Sequence, residues 1–259
     1  MLPPSARRER WLKVAVALML VGLALTTVDI VWAFTKSPMV NGAELSTLAE
    51  GQVYTVNGQI VTNVQLFSQK IFYLHVPVAV ISMALVIVSA VYSVLYLVRK
   101  DPGFDLRSRT CMEVGFALIL ATMASGILWT RFEWGVWWVW EPRLTTYLIL
   151  TLLVMAYFIL RSAIDDPEKK ARFASVFAII AAIDAPISFM VTRLIPSSIH
   201  PVVFRTDSGL PPDMLIPFLC GLFGMIFIGA ALYRLRLTIV EQSQEVELLK
   251  ERFEHISQR

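Results

Sequence analysis

Six apolar runs alternate with short charged segments along this chain of 259 residues. They are Val14–Trp32, Phe72–Val98, Cys111–Thr130, Leu144–Leu160, Phe173–Val191 and Met214–Tyr233. About 20 apolar residues in helical form cross the hydrocarbon core of a bilayer. The fourth run is short, and the second is long enough to tilt. Lipid offers the backbone no hydrogen-bond partner, so runs of this kind satisfy themselves as helices. The pattern predicts an all-α polytopic membrane protein with six transmembrane helices. A composition of 56% hydrophobic and only 17% charged residues agrees, because soluble domains carry nearer a quarter charged.

Charge then orients the spans. An even number puts both termini on one side, and that side receives Arg7, Arg8, Arg10, Lys13, Arg99, Lys100, Arg107, Arg109, Arg161, Lys169, Lys170, Arg172, Arg234, Arg236, Lys250, Arg252 and Arg259. These are 17 of the 23 Lys and Arg; Lys36, Lys70, Arg131, Arg143, Arg193 and Arg205 are left for the other face. Basic residues are retained in the cytoplasm during insertion, so both termini are expected to be cytoplasmic, in a bacterial inner membrane. The net charge of +3 is thus a topology signal rather than a footprint for nucleic acid.

The first run follows a basic stretch as a signal peptide would, but Asp29-Ile30-Val31-Trp32 lacks a small-residue cleavage site. It reads as an uncleaved anchor. Cys111 and Cys220 lie on different spans without C-x-x-C spacing, which argues against thiol redox work. There is no C-x-x-C-H, so covalent haem attachment is excluded, and no Walker-type phosphate loop.

One membrane domain over residues 1–233 and a charged helical tail over 234–259 are expected. Val246, Leu249, Phe253 and Ile256 lay a stripe along the tail, suited to a partner or the lipid surface, or simply to a solvated extension of the last helix. Asp101-Pro102-Gly103 and Asp166-Pro167 are turn chemistry between antiparallel helices. Three segments face outward: Thr35–Ile71, Arg131–Arg143 and Thr192–Asp213. In the first, residues alternating around Asn57-Gly58 from Val53 to Val61 predict a β-hairpin.

The segment from Trp134 to Thr146 carries the most chemistry. Trp134, Trp137, Trp138 and Trp140, four of the seven tryptophans, fall within seven residues, with Trp129 just upstream. Glu141, Pro142 and Arg143 follow, and Pro142 suits the first turn of the fourth span. In helical form, Trp134, Trp137, Trp138 and Glu141 would share a face. An interfacial aromatic belt normally takes one or two tryptophans per helix end. Four around a glycine suggest a stacking platform for a flat, apolar ligand.

Of three histidines, His255 lies in the tail, while His75 and His200 fall near the outer interface on either side of the tryptophan segment in sequence. Two imidazoles beside an aromatic platform can supply axial nitrogens to haem iron. Two histidines without cysteine donors suit zinc less well, because structural sites take four donors. Arg131 and Arg143 flank the platform and suit carboxylates such as haem propionates; snorkelling to lipid phosphate is the alternative. Asp184 sits mid-span before Pro186, which should kink the helix, as a helix tether or part of a polar path.

The run Trp134-Gly135-Val136-Trp137-Trp138-Val139-Trp140-Glu141-Pro142-Arg143-Leu144-Thr145 resembles the tryptophan-rich WWD signature of haem-handling proteins. Within that group the chain is most similar to the cytochrome c maturation protein C family (CcmC, haem exporter protein C). Tyr73-Leu74-His75-Val76-Pro77 resembles the family's first histidine motif; Asp184-Ala185-Pro186-Ile187 followed by Ile199-His200-Pro201 resembles the region of the second. The likeness runs from about Phe72 to the sixth span.

It implies a non-enzymatic protein that binds haem b non-covalently, with His75 and His200 on the iron and the tryptophans presenting the ring. Implied partners are a periplasmic haem chaperone (CcmE-type), ABC transporter subunits (CcmA/CcmB-type) and a small membrane subunit (CcmD-type). Two features depart from the pattern: Glu141 stands where the signature has aspartate, and the first outer loop is long. The competing readings are a bis-histidine haem anchor of a respiratory complex, a permease built around Asp184, and an intramembrane enzyme. A ligand in a loop (His200) counts against the first, and no acid–nucleophile pairing supports the last.

Overall fold

The computed structural model describes residues 4–37, 53–56, 59–62, 68–195 and 210–257. Six helices account for nearly all of them: α1 (Pro4–Thr35), α2 (Phe72–Arg99), α3 (Pro102–Trp134), α4 (Pro142–Ala163), α5 (Pro167–Leu194) and α6 (Pro212–Ser257). All six are long and apolar enough to cross a membrane, as the apolar runs predict. The helices outrun the apolar stretches, however. Arg131 and Trp134 belong to α3 rather than to an outer loop, and the tail continues α6 without a break.

The expected hairpin is present as β1 (Val53–Val56) and β2 (Gln59–Thr62), antiparallel with Val56 opposite Gln59. A one-turn 3-10 helix, Gln69–Ile71, leads into α2.

Three helices begin with the same device. Asp101, Glu141 and Asp166 each precede a proline and each accepts a backbone N–H with its side chain: Gly103 N at 2.8 Å, Leu144 N at 2.6 Å and Lys169 N at 2.7 Å. The acid satisfies one orphan donor of the first turn, and proline contributes none to satisfy. The acid–proline pairs are therefore helix starts as well as turns.

Packing divides the bundle into two bodies. Helices α2, α3, α4 and α5 enclose the larger core, with Val86, Met112, Ile119, Leu150, Val154 and Tyr157 at its centre. Alanines 171, 174, 178, 181 and 185 form the buried stripe of α5, and small residues allow membrane helices to approach closely. Helices α1 and α6 pack mainly on each other, and this pair meets the rest through α2 and α3. Their crossing is tight. A Cβ on Gly22 would lie 2.8 Å from the carbonyl oxygen of Gly224, and one on Gly224 would lie 3.0 Å from that of Gly22.

Prolines inside helices free carbonyls, and the fold uses one of them. Pro217 cannot bond back to Asp213, and the Ser37 hydroxyl donates to that carbonyl at 2.9 Å instead. Lys70, 2% exposed, donates to the Ser37 carbonyl at 2.5 Å. These bonds fasten the end of α1 to the starts of α2 and α6.

Candidate haem site

Antiparallel connection brings the start of α2, the end of α3 and the start of α4 to one end of the bundle, where His75, the tryptophans and Arg143 lie. His75 is seated against α3. Its Nδ1 is 2.9 Å from Ser125 Oγ, and Trp129 meets the ring edge-on at 5.7 Å between centroids. Gly126 makes the seat possible, since a Cβ there would lie 3.0 Å from His75 Cε1. Among the described residues Nε2 has no hydrogen-bond partner.

Arg143, in the first turn of α4, acts electrostatically on the same imidazole. Its guanidinium lies over the Phe189 ring at 5.6 Å, with Arg193 on that ring at 5.2 Å. Among the described residues Arg143 has no carboxylate within salt-bridge distance.

The tryptophan segment departs from the helical expectation. Gly135 takes φ +73° and ends α3 at Trp134, because the left-handed conformation is open to glycine and closes a helix. From there to Trp140 the backbone is irregular. Trp134, Trp137, Trp138 and Glu141 therefore do not share a helix face. Trp138 packs edge-on to Trp140 at 5.7 Å, and Arg131 lies over Trp137 at 5.6 Å while donating to the Gly135 carbonyl. Trp137 and Trp140 are 59% and 75% exposed.

Glu141 serves the backbone of α4. It is 5% exposed and its carboxylate caps α4. The clue was available in the sequence, since Asp101-Pro102 and Asp166-Pro167 repeat the same acid–proline start. His200 lies outside the described residues, as does the region around it.

Among the described residues, two buried indole N–H groups, on Trp129 and Trp138, find no acceptor. A buried unpaired donor costs about 1–3 kcal/mol, so these two donors suit an acceptor brought by a ligand. Ser125 and Gly126 are not singled out by the sequence, where Trp129 stands only as a neighbour upstream of the platform. Their signal was a serine four residues before a tryptophan, one face of a helix, in an otherwise apolar span. Among the described residues, Asp184 has a buried Oδ2 without a hydrogen-bond partner, and Asp29, 0% exposed, has neither carboxylate oxygen partnered; neither is in contact with this cluster.

Comparison with known proteins supplies the family. The sequence model described as heme exporter protein C matches residues 19–250. The chain is 34% identical over 180 residues to the heme exporter protein C of Bradyrhizobium diazoefficiens, covering 67% of each chain. It is 26% identical over 188 residues to that of Rhodobacter capsulatus, covering 71% of this chain and 77% of the relative. With that of Escherichia coli it shares 29% over 170 residues, 66% of this chain and 69% of the relative. A match across nearly all of the six-helix bundle, tryptophan segment included, shows that this chain belongs to the heme exporter protein C family.

Proposed function

We propose that this chain binds haem b non-covalently at the outer face of a bacterial inner membrane and presents it for cytochrome c biogenesis. His75 and His200 are the axial ligands, and Trp134, Trp137, Trp138 and Trp140 border the ring. The observation that carries this reading is the seat of His75: an imidazole held through Nδ1, with Nε2 unpartnered among the described residues, in the field of a guanidinium that has no carboxylate within salt-bridge distance among them.

The donor set fits the cargo. Imidazole nitrogen suits haem iron. The Arg143 guanidinium and the orphaned indole N–H groups of Trp129 and Trp138 suit the propionates, and the exposed rings of Trp137 and Trp140 suit the flat porphyrin. Arg131, engaged with Gly135 and Trp137, and Glu141, engaged as a cap, act by holding the segment in shape.

Nothing in this role requires bond making, and the chain acts as a carrier rather than an enzyme. Hand-over needs a partner that binds the loaded and empty states differently. The relatives' name, heme exporter protein C, supports an export assembly, and the family resemblance implies ABC subunits (CcmA/CcmB-type), a CcmD-type small subunit and a CcmE-type haem chaperone as recipient. Both termini are assigned to the cytoplasm.

The test is direct. The purified protein and its His75→Ala and His200→Ala variants are compared by oxidised and reduced absorption spectra. Loss of haem, or a shifted spectrum, is expected in each variant. Full haem content with an unchanged spectrum in both would refute ligation.

A further inference from the structure

The geometry points to Ser125 as the positioning residue that keeps the proton of His75 on Nδ1 and so leaves Nε2 as the nitrogen offered to iron. This rests on the ligation reading above and adds to it the residue that selects the ligating atom.

A serine hydroxyl has one proton and two lone pairs. Ser125 Oγ lies 2.9 Å from the Ala121 carbonyl and 3.1 Å from that of Thr122, both within its own helix. These oxygens can only accept, so they claim the hydroxyl proton, as serine does in apolar helices. What Oγ then turns toward His75 Nδ1, 2.9 Å away, is a lone pair, and a lone pair requires N–H opposite it. Nδ1 therefore carries the hydrogen and Nε2 is a free acceptor.

The opposite arrangement has Ser125 donating to Nδ1. It would place the hydrogen on Nε2, which has no hydrogen-bond partner among the described residues. That arrangement would also take the hydroxyl proton away from the two carbonyls it bonds, so the first arrangement is favoured. Close packing surrounds the ring. Gly126 abuts Cε1 at the position where a Cβ would be 3.0 Å away, and Trp129 closes an edge.

Binding to iron strengthens the same bond, because a ligated imidazole that donates through its other nitrogen is both oriented and made more basic. Removing such an outer partner costs about 10–100-fold in affinity for the metal.

The experiment uses the full-length protein in detergent, with haem as the probe, and compares Ser125→Ala, Ser125→Thr and His75→Ala with the unaltered chain. Haem affinity, the midpoint potential of bound haem and thermal unfolding are measured on each. Ser125→Ala is expected to weaken haem binding at least tenfold and to raise the potential, since a less basic imidazole stabilises ferric iron less. Ser125→Thr, which keeps the acceptor oxygen, is expected to restore both. Unchanged affinity and potential in Ser125→Ala, with haem lost from His75→Ala, would overturn the role of Ser125 and leave ligation standing. Haem retained by His75→Ala would overturn both. If Ser125→Ala does not fold, Ser125→Thr decides: a potential that differs from the unaltered protein despite normal unfolding counts against the proposal.

Discussion

At the scale of single residues, two charged side chains at the candidate site, Arg131 and Glu141, bond to backbone. Glu141 is the plainest case. Its carboxylate accepts from Leu144 N at 2.6 Å, and losing such a cap costs about 1 kcal/mol. Glu141→Ala should therefore lower the unfolding temperature, and Glu141→Asp should retain it, since a shorter carboxylate also caps. Equal thermal melts for all three proteins would remove the capping role. Gly126 makes the converse point. Gly126→Ala would set a methyl group 3.0 Å from His75 Cε1, displacing the imidazole without opening the core. Reduced haem binding with an unaltered melt is expected; binding equal to the parent would show that the seat is looser than its geometry implies.

Residue identity also explains why one motif was read correctly and another was not. The clustering of Trp134, Trp137, Trp138 and Trp140 can be seen without coordinates because aromatic density is a property of the string itself. Their mutual arrangement cannot, because Gly135 breaks the period on which a shared helix face depends. A glycine permits a left-handed turn but does not compel it.

At the scale of elements, helix pairs are held by different chemistry. The α1–α6 crossing depends on Gly22 and Gly224, where even a methyl group meets backbone. Gly224→Leu should cost about 1–3 kcal/mol by forcing the pair apart, read as lower resistance to unfolding in detergent; a stability equal to the parent would contradict the close approach. At the far end from the site, Arg161 makes two bonds to Asp105, at 2.7 and 2.9 Å, between α4 and α3. Those helices touch only lightly elsewhere. Asp105→Ala leaves a largely buried guanidinium unpaired, and such a loss costs about 3 kcal/mol. A melt unmoved by Asp105→Ala would mean that the bridge contributes little.

For the whole molecule, the orientation proposed from the distribution of Lys and Arg can be tested. In a chain with Cys111 and Cys220 replaced by serine, a membrane-impermeant maleimide applied to intact spheroplasts should label Trp137→Cys and spare Ser243→Cys. The reverse pattern would invert the topology and put the tryptophan segment on the cytoplasmic side. The division into an α1–α6 pair and a four-helix body also matters here. His75 stands on α2, one of the two helices through which the pair meets the four-helix body.

Six spans, their helical form, the hairpin around positions 57 and 58 and the concentration of tryptophans at one loop were all determined by the sequence by itself. Each is a local or periodic property: length of apolar run, turn chemistry, density of one residue type. Tertiary structure alone decided which side chains stand next to His75, because Ser125, Gly126 and Trp129 come from another helix, and their approach depends on how α2 and α3 pack. It also decided that Glu141 turns to the backbone. A carboxylate beside tryptophans reads equally as a ligand contact or a cap until the first turn of the next helix is in place.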